Sequence, residues 1–234
     1  MIIKNFIEKI QYWKACRSSS NFLKYMRSKG IAVGEGCVVP APKTVSIDFT
    51  RPSLISIGNN VRINKDMTIM THDYASVVFL NKYNEFINSS GKITIGNNVY
   101  FGRHVTVLKG VSIGDNCIIG YGSLVMKDIP DNSVAAGTPA KVICSLDEYY
   151  EKRKKKAKLE AFEYARSIVE RCGRKPIPSD FFEEFPYFVD GSNMDDYPSI
   201  PVKHQLGPSL NEWKKNHVAE FESFEDFLKS AGIG

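Results

Sequence analysis

No apolar run in this 234-residue chain approaches the roughly 20 residues that cross a bilayer, so a membrane-spanning helix is excluded by composition. The opening stretch from Met1 to Ile10 has neither an uninterrupted signal-peptide core nor a small-residue cleavage site, and a cytoplasmic location is expected. Five cysteines, at positions 16, 37, 117, 144 and 172, form no CxxC pair and no metal-ligand spacing. The expectation is therefore no bound metal. Only four histidines are present, and no serine or cysteine nucleophile motif is visible. The net charge of +5 suits an anionic ligand, but no basic-aromatic array accompanies it, so nucleic acid is not an expected partner.

What is present is a repeat. An aliphatic or aromatic residue returns at a spacing of six at Ile57, Ile63 and Ile69, then at Ile95, Phe101, Val107, Ile113, Ile119 and Val125. A small or aliphatic residue follows four places later in most repeats, as at Val61, Val99, Val105, Val111, Cys117, Ser123 and Ile129. Neither a 3.6-residue period nor plain alternation explains a strict six. Short strands joined by Gly/Asn/Asp turns do, and that pattern reads as a parallel β-helix. Three hexapeptides close one coil, with the periodic residues stacked inside. Cys37 and Cys117 fall on the small inward position, so buried thiols are expected there.

The phase breaks once within this run, because Ile69 and Ile95 are 26 residues apart. The segment from Thr71 to Gly91 therefore reads as a loop leaving the wall, and solenoids carry such insertions on a binding face. It opens with His72-Asp73. Before the repeats, residues 1–30 read as two helices. Ile3, Phe6, Ile7, Ile10 and Trp13 form one apolar stripe, and Gly30 stops the second helix. Such a stripe, within residues 1–17, suits a membrane surface, but packing on the protein's own body or on a neighbouring subunit is the expectation taken. Residues 31–145 hold the repeats, with an imperfect first coil in which Arg51 stands where an aliphatic is due. Residues 146–234 read as a helical and irregular extension: a long helix capped by Asp147, a packed aromatic segment and a last helix near Phe224–Lys229.

The string from Ile93 to Ile143, with Lys127-Asp128-Ile129-Pro130 and Ala135-Ala136-Gly137-Thr138-Pro139-Ala140-Lys141-Val142-Ile143, resembles the hexapeptide-repeat acyltransferases. The likeness is to the galactoside and maltose O-acetyltransferases and to enzymes that acetylate bacterial surface polysaccharides. It covers about residues 55–145 and does not extend to the helical ends. The resemblance implies a mainly β fold, a left-handed parallel β-helix with helical extensions at both ends. It also implies a homotrimer with sites between subunits, and acetyl-coenzyme A along the coil wall. By position it makes His72 the catalytic histidine. It places Tyr100, Gly102, Arg103, Tyr121, Met126, Lys127 and Lys141 along the coenzyme, the two lysines at positions suited to phosphate.

The chemistry asks for such a histidine. A hydroxyl attacks a thioester poorly while protonated, and an imidazole titrates near neutral pH, so it can take that proton and return it to the departing thiolate. Turn N–H groups near Gly102 are candidates for stabilising the oxyanion. His104 is the competing base, while His204 and His217 lie in the extension. Asp73 either orients the imidazole or binds the acceptor, or simply makes an Asx turn. Asn64 is a further acceptor-binding candidate. The expected activity is acetyl transfer to a hydroxyl of a sugar or polysaccharide precursor. Alternatives are N-acetylation of an amino sugar or a xenobiotic, a three-histidine zinc carbonic anhydrase on the same coil, and a non-catalytic scaffold.

Overall fold

The computed structural model describes residues 2–234, with side chains from residue 8 onward, so Ile3, Phe6 and Ile7 of the N-terminal stripe lie outside the described side chains. The chain divides into two units, Met1–Tyr150 and Glu151–Gly234.

The first unit is a three-sided coil of parallel strands. Its short strands, mostly two residues long, join three sheets that the chain visits in rotation: Ile55–Ile57, then Arg62–Ile63, then Thr68–Ile69, and onward through Ile93–Ile95, Tyr100–Phe101 and Thr106–Val107. Each strand pairs in parallel with its equivalent one coil away, as Ile63 does with Phe101 and Phe101 with Ile119. The six-residue phase thus becomes a set of stacked interior rows. Ile57, Ile63, Ile69, Ile95, Phe101, Val107, Ile113, Ile119 and Val125 are all buried. Each such side chain contributes about 1.5–3 kcal/mol by leaving water. Cys37 and Cys117 are buried free thiols, and burial pushes the Cys117 thiol up.

Corners follow from turn chemistry. Asn60, Asn98 and Asn116 adopt φ of 56°, 54° and 56°, the left-handed region that asparagine tolerates. Gly58 is required for a different reason: a Cβ there would lie 2.6 Å from the carbonyl oxygen of Gly96 in the next coil. The first coil is longer at two corners, around the 3₁₀ turns Pro42–Thr44 and Pro52–Leu54. Ile47, not residue 51, therefore fills the interior row, pairing with Ile69. This corrects the expectation that Arg51 interrupts that row.

At the N-terminal end, helix α1 (Ile2–Ala15) meets the same core through Tyr12, the link residue Cys16 joins it, and helix α2 (Ser19–Ser28) adds Phe22, Leu23 and Met26. Ser18 caps α2, accepting from Asn21 N at 3.2 Å. At the other end, the strand Ser133–Gly137 folds back antiparallel onto Ala140–Ser145. Helix α3 (Ser76–Tyr83) lies within the insertion after Ile69, and helix α4 (Leu146–Cys172) follows the hairpin. The cap of α4 is Ser145, not Asp147. Ser145 N donates to Glu148 Oε2 at 2.8 Å and Glu148 N donates to Ser145 Oγ at 3.1 Å, a reciprocal box for which Asp147, with Tyr150 three places on, lacks the Glu or Gln.

The second unit packs Ala161, Ala165 and Ile168 of α4 against Phe181, Phe185, Phe188, Phe224 and Phe227. Its middle is a series of 3₁₀ turns, and its last helix spans Phe224–Ser230. Among the described residues no helix is long and apolar enough to cross a membrane.

Candidate functional site

The insertion after Ile69 is not a plain loop. His72–Asp73 and Ser89–Ser90 form an antiparallel pair at its base, and helix α3 (Ser76–Tyr83) fills the span between them. Asn84, at φ 56°, ends that helix as a left-handed cap. The strand pair satisfies backbone groups that a structureless excursion would leave to water.

His72 is fixed from below by a residue of the first coil. Its Nδ1 lies 2.5 Å from Oδ2 of Asp48. The same carboxylate oxygen accepts from Thr71 N at 3.3 Å and from the Thr71 hydroxyl. Oδ1 of Asp48 accepts from Thr50 N and the Thr50 hydroxyl. Burial alone would push the Asp48 carboxyl up. Hydrogen bonds from Thr50, Thr71 and His72 outweigh it and hold the group well below the usual carboxylate range. An ionised carboxylate only accepts, so Nδ1 carries the proton and the lone pair of the neutral ring sits on Nε2. The imidazole is mostly enclosed, with 14 % of the side chain exposed, and Tyr74 packs edge-on against it at 5.1 Å. The arrangement is a base with a set tautomer and a set orientation.

Asp73 does not touch the imidazole. Its Oδ1 accepts from Ala75 N at 2.9 Å, an Asx turn, and its Oδ2 pairs with the Lys109 ammonium. Lys109 also donates to the Ser89 hydroxyl, so one lysine from the next coil ties both strands of the insertion's base. Asn64 Nδ2 donates to the carbonyl of Phe101 at 2.8 Å and so serves the coil ladder. Asp48, Thr71 and Lys109 were not among the candidates read from sequence. The available signal was the Thr71-His72 departure point itself. What lies beneath it depends on the register of the irregular first coil.

The remaining candidates divide between two corners. Asn64, Gly102, Arg103 and Tyr121 lie at one end of the sheet built from Thr68–Ile69, Thr106–Val107 and Leu124–Val125, and His72, Met126 and Lys127 lie at its other end. Gly102 must be glycine, because a Cβ would sit 2.6 Å from Tyr121 N. Its own N–H donates to the Ile119 carbonyl at 2.7 Å, so the turn N–H groups near Gly102 that could meet an oxyanion are those of its neighbours. Arg103 O accepts from Gly122 N at 2.9 Å, and the Thr138 hydroxyl reaches Gly122 O at 3.1 Å, bringing the terminal hairpin to this corner. Tyr100, Tyr121, Met126, Lys127 and Lys141 are all exposed on the wall.

Two of the other histidines have partners elsewhere and the third is exposed. His104 sits at a corner with φ 59°, its Nε2 3.5 Å from Asp66 and its ring edge-on to Tyr121. His217 stacks on Trp213 and its Nε2 lies 2.7 Å from the Pro186 carbonyl oxygen. His204 is exposed in the short helix Val202–Leu206. Among the described residues no three His, Cys, Asp or Glu side chains are grouped to hold a metal.

Comparisons with known proteins agree with the coil. A profile of the bacterial transferase hexapeptide (six repeats) family matches residues 92–127. The chain is 44 % identical over 105 residues to galactoside O-acetyltransferase of Escherichia coli (strain K12), covering 45 % of this chain and 49 % of that protein. It thus spans about half the length of that relative. It is 40 % identical over 128 residues to protein CapG of Staphylococcus aureus, covering 53 % of this chain and 71 % of CapG. A solved structure of galactoside acetyltransferase in complex with coenzyme A superposes with a TM-score of 0.41 at 30 % identity, over 61 % of this chain and 80 % of that one.

Proposed function

The chain belongs to the bacterial hexapeptide-repeat transferases, and we propose that it transfers acetyl from acetyl-coenzyme A to a hydroxyl of a sugar or a surface-polysaccharide precursor. The observation that carries this reading is the His72–Asp48 contact of 2.5 Å. Nε2 of His72 takes the proton of the acceptor hydroxyl as its oxygen forms a bond to the thioester carbonyl carbon. The C–S bond then breaks, and Nε2 returns that proton to the departing thiolate. Asp48 stays ionised throughout and stabilises the imidazolium between the two transfers. Such general-base action is worth roughly 10²–10⁴ in rate.

The wall residues fit the cosubstrate. Lys127 and Lys141 offer exposed cations to its phosphates, while Tyr100, Tyr121 and Met126 offer apolar surface to its adenine and pantetheine ends. In this reading residues 31–145 carry catalysis on a left-handed coil, and residues 1–30 and 146–234 flank it. The split of the candidates over two corners supports a homotrimer. One chain holds His72 at one end of a sheet and Arg103 with Tyr121 at the other, so a neighbour must bring the complementary corner to complete a site. The exposed apolar side chains of the insertion (Tyr74, Val77, Val78 and Phe86) favour the same association. The location proposed is the cytoplasm, where the thioester is supplied.

Release of free coenzyme A, followed across a panel of sugars and amino sugars with acetyl-coenzyme A present, tests the reading. Turnover with at least one hydroxyl acceptor and its loss in His72→Ala support it. Turnover confined to amines would reassign the chain to N-acetylation, and no turnover together with no coenzyme A binding would leave a scaffold.

A further inference from the structure

Over its described side chains, from Glu8 onward, helix α1 gives one side to the protein and leaves the other exposed. On its inner side Ala15 and Cys16 are buried, and the Tyr12 ring meets Phe22, Tyr25 and Phe49 edge-on at 6.2, 5.8 and 6.2 Å. On its outer side Ile10 and Trp13 face solvent, Trp13 with 63 % of its surface exposed. Lys9, Lys14 and Arg17 stand around them, lining with Ile10 and Trp13 a shallow hollow of about 300 Å³. A fourth cation comes from the first coil: Lys43 Nζ lies 5.3 Å from the centroid of the Trp13 ring. The only acid of the helix, Glu8, is taken up by Lys29 at 3.8 Å.

We propose that this outer face of α1 docks on an anionic lipid surface. An exposed tryptophan beside an isoleucine is costly in water and suited to the headgroup boundary, where the indole's apolar body and polar N–H both find partners. Lysines and arginines around such a pair are drawn to anionic headgroups, and a helix with this division of residues lies flat in the interface. Single-stranded nucleic acid would want a groove with several aromatic platforms; here there is one indole with an aliphatic neighbour. The placement also has a consequence for the reaction. Tyr12 and Tyr25 both pack on Phe49, the residue next to Asp48, at 6.2 and 5.4 Å. The docked face is thereby coupled to the end of the coil that holds the His72 carboxylate, so an acceptor carried on a lipid would arrive at that end.

Sedimentation of the full chain with phosphatidylcholine vesicles, with and without phosphatidylglycerol, tests the docking independently of catalysis. Binding is expected only with phosphatidylglycerol present, weakened by added salt. Trp13→Ala should abolish it, and Lys9→Glu with Lys14→Glu should weaken it about tenfold or more. Both variants change exposed side chains only, so circular dichroism should be unaltered. No partition onto anionic vesicles overturns the proposal, and so does partition that survives both variants. A change of oligomeric state in Trp13→Ala would instead assign this face to a second copy of the chain.

Discussion

Nδ1 of His72 lies 2.5 Å from Oδ2 of Asp48, a residue 24 positions earlier and one coil below. The contact joins the point where the chain leaves the wall to the coil that most departs from the repeat. If the pair acts as base and orienting anion, the two substitutions should be unequal and non-additive. His72→Ala should lower kcat by ~10²–10⁴. Asp48→Asn should lower it by at least about tenfold, with KM little changed, because the amide keeps the shape and loses the charge that holds the tautomer. In the His72→Ala background Asp48→Asn should cost nothing further. Steady-state kinetics of the three variants measures all of this, and additive losses would mean Asp48 acts on something other than His72.

The same carboxylate makes stability depend on pH in a stated direction. Folding lowers the Asp48 pKa, since its hydrogen bonds outweigh its burial. The unfolded chain then binds the proton more readily, so Asp48 contributes stability above the ordinary carboxylate pKa of ~4 and loses it as pH falls toward the lower folded value. The melting temperature gap between the wild type and Asp48→Asn should be widest near neutrality and shrink below about pH 4. A gap that grows on acidification would reverse the sign of the assignment.

Much of this was legible in the sequence, and the illegible part has a physical source. The interior rows follow from the six-residue phase because one buried position per strand fixes the register of the whole coil. His72 stands out because it opens the only insertion between otherwise regular repeats. Asp48 does not stand out, because extra residues at the corners near Pro42 and Pro52 shift the first coil, and counting by sixes places Arg51 where Ile47 belongs. The pairing of Asp73 with Lys109 was hidden for a related reason. Lys109 sits 36 residues away, across the insertion, and a local Thr-His-Asp string says nothing about a partner one coil up.

Lys109 is expected to hold the insertion in place by bonding Asp73 on one strand and Ser89 on the other. Lys109→Met keeps the aliphatic stem and removes the cation. The hairpin from residue 74 to 88 should then exchange its amide hydrogens faster, while the coil's own protection stays. Activity should fall roughly tenfold through positioning of the neighbouring His72, with the melting temperature nearly unchanged. Unaltered exchange in the insertion would show that the strand pair is held by its backbone alone.

Lys127 and Lys141 are exposed cations on different elements, one past the strand Leu124–Val125 and one in the strand Ala140–Ser145, opposite Ala136. If both meet the phosphates of acetyl-coenzyme A, each change to alanine should weaken binding by about fivefold to tenfold at low salt. The difference from wild type should shrink as ionic strength rises, since solvent-exposed charge pairs are screened more strongly as the Debye length falls below its roughly 10 Å at 0.1 M. Calorimetry across a salt series separates the cases. Unchanged affinity in both variants would move the phosphate grip to Arg103, an exposed cation of the opposite corner.

Assembly supplies the last test, because the proposed site needs two corners that one chain keeps apart. His72, Met126 and Lys127 lie at one end of a sheet whose other end carries Asn64, Gly102, Arg103 and Tyr121. A closed ring of three copies brings unlike corners together three times, whereas a dimer with two-fold symmetry sets like surface against like. Light scattering should report the mass of three chains. Replacing exposed apolar residues of the insertion with charges, as in Val77→Asp with Val78→Asp, should release monomers that keep the coil's circular dichroism and lose turnover. A wild-type monomer with full activity would place the whole site on a single chain and remove the argument from divided corners.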